Sequence, residues 1–315
     1  MRDVLIVSHS ADDHLDLVLP LLGDRCFLVE CDKPFEFTCD STDLSAAKWS
    51  QGEHEIRLAD VHSIWNRRAF SVPGEEQPHQ RFTRIELRES ILQALQWVVP
   101  FERWINHPTA NESARSKLVV SNTAQQCGLS CPSWAVSNNM TQLTAFAESV
   151  AGRIVLKPLS AVLDFANALP SVVYARPLER QQFTELMASG GTFFPLFIQE
   201  EIPKVADWRI SIVDGSISAV RMTGCPSDVM DFRRAYEKLS YESISLPPQE
   251  ASALRELMAR LRLRYAAIDM VEHAESGRLF FLEVNASGQF GWMEKETGLG
   301  GDSDFSSMLA KALLN

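Results

Sequence analysis

The chain has 315 residues, 45 % hydrophobic and 23 % charged, an ordinary soluble composition whose length fits two or three domains. Its formal net charge of −11 argues against nucleic acid as a partner and disfavours an anionic substrate unless basic residues are gathered locally. No apolar run approaches the roughly 20 residues of a membrane span, and the strand-like start at Val4 does not read as a signal peptide. A cytoplasmic protein without a membrane partner is therefore expected.

In chain order, Val4 to Val7 reads as a buried strand. Ser10 to Asp13 reads as a capping box opening a helix over residues 11–22. The connecting turn lacks G-x-G-x-x-G, which weakens a dinucleotide-binding reading. His9, Asp12, Asp13 and His14 lie close together, but cap chemistry accounts for the two aspartates better than a metal does. Cys26 to Glu30 and Ser63 to Asn66 read as strands. Phe82 to Val99 carries a helical apolar stripe that Pro100 ends. Asn106-His-Pro108 marks a break and an expected domain boundary. A helix over 111–126 follows, with Gly128 at its C-terminal cap. The six cysteines contain no C-x-x-C pair and read as free thiols in a reducing compartment.

Further on, residues 140–150 read as a helix and 153–156 as a strand ending at Lys157-Pro158. Residues 159–171 read as irregular and 172–175 as a strand. Strands are expected over 197–201 and 207–213, with Asp214-Gly215 as a hairpin turn and 216–222 returning. The stretch 223–248 is polar and Pro-bounded, like a long functional loop. Helices close the chain at 251–263 and 303–314, with a hairpin between them.

That hairpin, Tyr265 to Asn285, places Asp269, Glu283 and Asn285 among residues that otherwise favour burial. A buried carboxylate without a partner costs several kcal/mol or becomes protonated. Glu275-Ser276-Gly277 reads as a three-residue loop. If Ala274 pairs with Arg278, Asp269 falls opposite Glu283, and Asn285 shares their face. Hard oxygen ligands in an incomplete set suit Mg²⁺, which takes the rest of its shell from water and phosphate.

Lys117, at the helix after Pro108, and Lys157, at the end of an apolar strand, carry ammonium charges suited to phosphate oxygens. Gln199-Glu200-Glu201-Ile202 follows an apolar strand and can offer backbone groups to a purine edge. Asp207 and Arg209 share a strand face. The acid suits a ribose hydroxyl or substrate, and the guanidinium a phosphate or a developing acyl phosphate. Arg67-Arg68, Arg209, Arg221 and Arg233-Arg234 are the candidates for local positive charge.

The ordered set of Asn106-x-Pro108, Lys117, Lys157-Pro158, Gln199-Glu200, Asp207-x-Arg209, Asp269 and Leu282-Glu283-Val284-Asn285 resembles the ATP-grasp ligases of the RimK-like branch. Val4-Leu-Ile-Val-Ser-His-Ser10, Ile64-Trp-Asn-Arg-Arg68, Trp104-Ile-Asn-His-Pro108, Gly288-Gln-Phe-Gly-Trp292 and Glu296-Thr-Gly298 extend the resemblance to the microviridin-type peptide maturases, the graspetide synthetases, over essentially the whole chain. The resemblance implies an α/β (α+β) ATP-grasp fold. Residues 1–107 would form an N-terminal α/β domain, 108–195 a central subdomain, and 196–315 a C-terminal subdomain with the Mg²⁺ site, the two subdomains sandwiching ATP. Lys117, Lys157, Gln199, Glu200, Glu201, Ile202 and Asp207 would bind ATP. Asp269, Glu283 and Asn285 would hold one or two Mg²⁺, and Arg209 with Arg221 would stabilise the transferring phosphoryl group.

The implied activity is ATP-dependent, ADP-forming ligation. Asp or Glu side chains of a ribosomal precursor peptide, leader plus core, would be activated as acyl phosphates and closed into ω-ester or ω-amide rings by a cytoplasmic homodimer. The N-terminal domain and the region around Asp231-Phe-Arg233-Arg234 are the candidates for peptide contact. The glycine-rich phosphate loop common in ATP-grasp enzymes is missing between Lys157 and the hinge. A RimK-like ligase adding amino acids to another carboxylate, and a non-catalytic ATP-binding module, stand as alternatives.

Overall fold

The computed structural model describes residues 2–43, 46–67, 78–159, 163–164, 171–172, 176–188, 194–226, 236–298 and 304–315. The strands of the described residues form three sheets of four or five strands, a three-stranded meander and a two-stranded pair. The first is parallel, in the order β2–β1–β6–β7, from β1 (Val4–Ser8), β2 (Cys26–Glu30), β6 (Ser63–Asn66) and β7 (Trp104–Ile105). Every residue of β1 is buried, as expected of a central parallel strand covered on both faces. Helix α1 (Leu15–Leu22) packs on one side. A meander of β3 (Glu36–Thr38), β4 (Lys48–Gln51) and β5 (His54–Arg57) joins α2 (Pro78–Val98) on the other.

The capping box at Ser10 does not form. The Ser10 hydroxyl and N–H both donate to Asp32, so the helix starts only at Leu15. The single helix expected over 111–126 is two, α3 (Pro108–Ala114) and α4 (Lys117–Gln126), because Ser116 turns extended and accepts from Val119 N–H as an N-cap.

The central sheet is antiparallel, in the order β12–β9–β13–β8. It is built from β8 (Trp134–Ser137), β9 (Ile154–Lys157), β12 (Arg176–Leu178) and β13 (Leu196–Glu200), with α5 (Met140–Ser149) and α6 (Arg180–Ala188) on one face. Between β9 and β12, a small hairpin pairs β10 (Leu163–Asp164) with β11 (Ser171–Val172) where irregular chain was expected. Strand β13 ladders with β8 and β9, so the boundary expected at 195 would cut this sheet.

The last sheet, β16–β15–β14–β17–β18, carries the long strands β14 (Lys204–Val213), β15 (Ser216–Thr223), β16 (Ser240–Ser243), β17 (Tyr265–His273) and β18 (Leu279–Asn285). Asp214 and Gly215 take φ of 45° and 78° in the β14–β15 turn, the left-handed pair that a two-residue hairpin requires. One face of this sheet packs against α3, α4 and α7 (Pro248–Arg260). The other packs against the N-terminal sheet, α8 (Gly291–Thr297) and α9 (Phe305–Leu314), around Ile6, Trp65, Val220, Tyr265 and Phe305. The N-terminal and C-terminal sheets therefore share one core, and α3 and α4 belong to the C-terminal core despite their place in the sequence.

Candidate active site

Strand register brings three charges into one row. Arg209 on β14 pairs with Asp269 on β17, which pairs with Glu283 on β18. Cross-strand partners share a face, so the guanidinium and both carboxylates point the same way. Arg209 Nη1 donates to Asp269 Oδ1 at 2.7 Å, with both residues buried. Asn285, two residues past Glu283, lies on the same face, and its Oδ1 accepts from Ser287 N–H at 3.0 Å. A carbonyl oxygen has a second lone pair, so this bond leaves it one free acceptor direction.

The expected pairing of Asp269 with Glu283 holds, but not by the expected route. The loop is four residues, with His273 N–H donating to Arg278 O. The first rungs of the ladder, Glu272 with Leu279 through Met270 with Phe281, sit one residue out of the expected register. A bulge at Leu282 restores it, so Asp269 meets Glu283.

Lys117 is the first residue of α4, and its Nζ lies 3.7 Å from Glu283 Oε2. Lys157 ends β9. Although part of its surface is exposed, protein surrounds its ammonium closely enough that burial pulls its pKa down to about 8. Glu283 and Asp269 oppose that fall and Lys117 adds to it, so all four charged groups act on one another in one pocket of space.

The hinge residues follow. Gln199 is buried within β13. Glu200 exchanges hydrogen bonds with Ser133, its N–H donating to Ser133 O and its carboxylate accepting Ser133 N–H. Arg153 grips the Glu201 carboxylate through Nε and Nη2, at 2.5 and 2.6 Å. Ile202 is buried beside it. Glu201 N–H also donates to Arg153 O at 3.1 Å, so a ligand edge is left the Glu201 carbonyl and the Ile202 N–H. Asp207, on the Arg209 face, is held by Lys204 Nζ at 2.7 Å to each oxygen.

Arg221 does not join this group. It pairs with Trp208, not with Arg209, which puts it on the opposite sheet face. There it is bound to Glu272, which also accepts from Trp208 Nε1. Arg68 and the Asp231-Phe-Arg233-Arg234 segment lie outside the described residues.

The donor set fits the expected magnesium. Asp269, Glu283 and Asn285 offer hard oxygens, and positive groups already rest on both carboxylates. Among the described residues no group of three or more His, Cys, Asp or Glu side chains gathers into a full cage, so the cation would draw further ligands from phosphate and water. Sequence reasoning offered Arg67 only as a candidate for local positive charge and gave no site role to Asn106 or Gly288, although each sits in a motif singled out above. The signal was there in Arg67, a charged residue closing an apolar strand.

No family profile and no curated protein sequence matches the chain. Solved structures do. The macrocyclase MdnC from Microcystis aeruginosa MRC, bound with precursor peptide MdnA, is 26 % identical with a TM-score of 0.83, covering 99 % of both chains. The chain has the fold of the ATP-grasp peptide maturases. A Chryseobacterium gregarium RiPP-associated ATP-grasp ligase, in complex with ADP and a leader and core peptide, is 19 % identical at a TM-score of 0.81, covering 99 % of this chain and 95 % of its own. ATP-grasp ligase PsnB, complexed with minimal precursor, Mg and ADP, is 19 % identical at 0.73, covering 99 % and 96 %.

Proposed function

We propose that the chain is an ATP-dependent, ADP-forming ligase that activates Asp or Glu side chains of a ribosomal precursor peptide, leader plus core, and closes them into ω-ester or ω-amide rings. The observation that carries the reading is the Arg209–Asp269–Glu283 row, with Lys117 and Lys157 against it. It lies on a fold matched over 99 % of its length by a macrocyclase bound to its precursor peptide.

A carboxylate does not condense with an alcohol or amine at neutral pH, because hydroxide is a poor leaving group. Phosphorylation makes phosphate the leaving group instead. The protein must then hold a carboxylate against a triphosphate, two anions that repel each other. Lys117 and Lys157 neutralise phosphate oxygens, and Arg209 meets the transferring phosphoryl group. Gln199, Glu200, Glu201, Ile202 and Asp207 take the adenosine end, with Glu201 and Ile202 presenting backbone to the base. Asp269, Glu283 and Asn285 would hold Mg²⁺, which when bound offsets phosphate charge. Water must be excluded until the acceptor attacks, or the activated acid hydrolyses. Arg221 has no part in this arrangement. The enzyme is read as a cytoplasmic homodimer.

The test uses the full-length protein, ATP, Mg²⁺ and a candidate precursor peptide. Loss of one water per linkage by mass spectrometry, with stoichiometric ADP, is the expected result. Release of AMP, or product from Asp269→Asn combined with Glu283→Gln at the wild-type rate, would overturn the reading.

A further inference from the structure

A second polar cluster, absent from the reaction above, lies just behind the carboxylate row. Asp12, His14, Arg67 and Asn106 come from the N-terminal sheet and its connections, and all four are buried. Asp12 is drawn well below the usual carboxylate range. Burial opposes that, but hydrogen bonds from His14 and Ser8 and the charge of Arg67 outweigh it. Burying a guanidinium and a carboxylate costs several kcal/mol each before pairing. The shared apolar core already joins the two sheets, so domain contact alone gives no reason for such a cluster.

What the cluster touches is one turn, Ala286 to Phe290, immediately after Asn285. Asn106 Nδ2 donates to Ala286 O at 3.0 Å and to Tyr265 O at 2.7 Å. Its Oδ1 accepts from Arg264 N–H and Tyr265 N–H, each at 2.9 Å. Arg67 Nη1 donates to Ser287 O and to Gly288 O, the latter at 3.0 Å. Phe290 N–H donates to His14 Nε2 at 3.2 Å, which leaves His14 Nδ1 to donate to Asp12. From inside the turn, Ser287 N–H donates to Asn285 Oδ1, and Gln289 O accepts from Arg209 Nη2 at 3.2 Å. The turn is therefore gripped from the N-terminal side and grips Asn285 and Arg209 in its own right. Gly288 allows this closeness: a Cβ there would lie 2.2 Å from Ala267 Cβ and 2.9 Å from Arg209 Nη2.

We propose that His14, Arg67 and Asn106 are positioning residues that seat the Ala286–Phe290 turn and thereby fix Asn285 and Arg209 at the cation corner. The N-terminal domain is then part of the metal site's support. The proposal rests on the cation reading of Asp269, Glu283 and Asn285.

The test is Mn²⁺ binding by electron paramagnetic resonance, with a non-hydrolysable ATP analogue present. It compares the wild type with Arg67→Met, Arg67→Lys and Arg25→Met. Arg25 also joins the N-terminal sheet to the C-terminal helix, through Asp3 and Leu314 O, but touches nothing on the turn. Arg67→Met should weaken Mn²⁺ roughly 10- to 100-fold, the usual effect of losing an outer-shell partner. The affinity for the metal-free nucleotide should fall by a smaller factor, through Arg209, which the turn also holds. Arg67→Lys should fall between the two, and it decides the matter if Arg67→Met does not fold. Arg25→Met should bind Mn²⁺ like the wild type. No Mn²⁺ binding by the wild type would overturn the cation reading itself. Wild-type affinity in both Arg67 variants, or equal weakening by Arg25→Met, would overturn the seat while leaving that reading intact.

Discussion

Lys157 is a lysine prepared for an anion. Its pKa of about 8 is set first by burial, and a phosphate against it would reverse that shift. The sign follows from linkage: a group that holds its proton more tightly in the complex takes one up on binding, between its free and bound pKa values. We expect proton uptake when ATP binds near pH 8.5, and an affinity that falls by up to ~10-fold per pH unit above 8. Calorimetry in two buffers of different ionisation heat reads this directly. Lys157→Met should show no uptake, and a wild type without uptake would remove Lys157 from the phosphates. In the free protein, the penalty of the charged form is fully present below pH 8. It is relieved as pH rises toward the unfolded lysine value near ~10.4. This residue was legible as an anomaly, a lysine closing an apolar strand. Arg221 was misleading for an avoidable reason. The two-residue turn at Asp214-Gly215 already determines that Arg209 faces Val220 and Arg221 faces Trp208, so strand parity alone places the two arginines on opposite faces.

At the scale of elements, Asn106 joins the end of the N-terminal sheet to both strands of the site hairpin. Its amide makes four hydrogen bonds, two donated and two accepted, a combination that needs a side-chain amide held at this distance from the backbone. Asn106→Ala leaves buried backbone groups unpaired at roughly 1–3 kcal/mol each, so a loss of at least ~3 kcal/mol is expected by urea denaturation. A change below ~1 kcal/mol would show the joint to be incidental. Asn106-x-Pro108 read as a break in the sequence, and so it is for the helix pattern. Nothing in a one-dimensional pattern shows that a break is also a fastening, because its partners lie some 160 and 180 residues away. Other misses were local. Ser116 interrupts a helix whose composition runs on unchanged. The meander over 36–57 is short and polar, with burial too patchy to give an alternation.

For the molecule as a whole, which sheets share a core matters more than the sheets themselves. The N-terminal and C-terminal sheets enclose a common apolar layer, whereas the central sheet has its own, around Leu143, Ile154, Phe183 and Ile198. A small separate core opens at lower free energy than a large shared one. In native-state hydrogen exchange, amides of β9 and β13 should therefore exchange before those of β14 and β17, and ATP should protect β9 most. Simultaneous exchange of both sets would mean one cooperative unit. Long strands, the Asp214-Gly215 turn and the site hairpin were readable because periodicity and turn chemistry are local. The pairing of cores was not, because it depends on which apolar faces meet.

The bulge at Leu282 makes the ladder of the site hairpin two ladders with independent phase. The half near the loop is set by the four-residue turn, and the half that carries the carboxylates is set by Arg209 and by Asn106 beyond it. In comparing this chain with distant relatives, a one-residue gap between Gly277 and Glu283 belongs at Leu282, not in the loop. An alignment that puts it in the loop will shift the intervening strand residues by one and exchange inward for outward side chains, while still matching the acids. Sites in such hairpins are better counted outward from the carboxylates than inward from the turn.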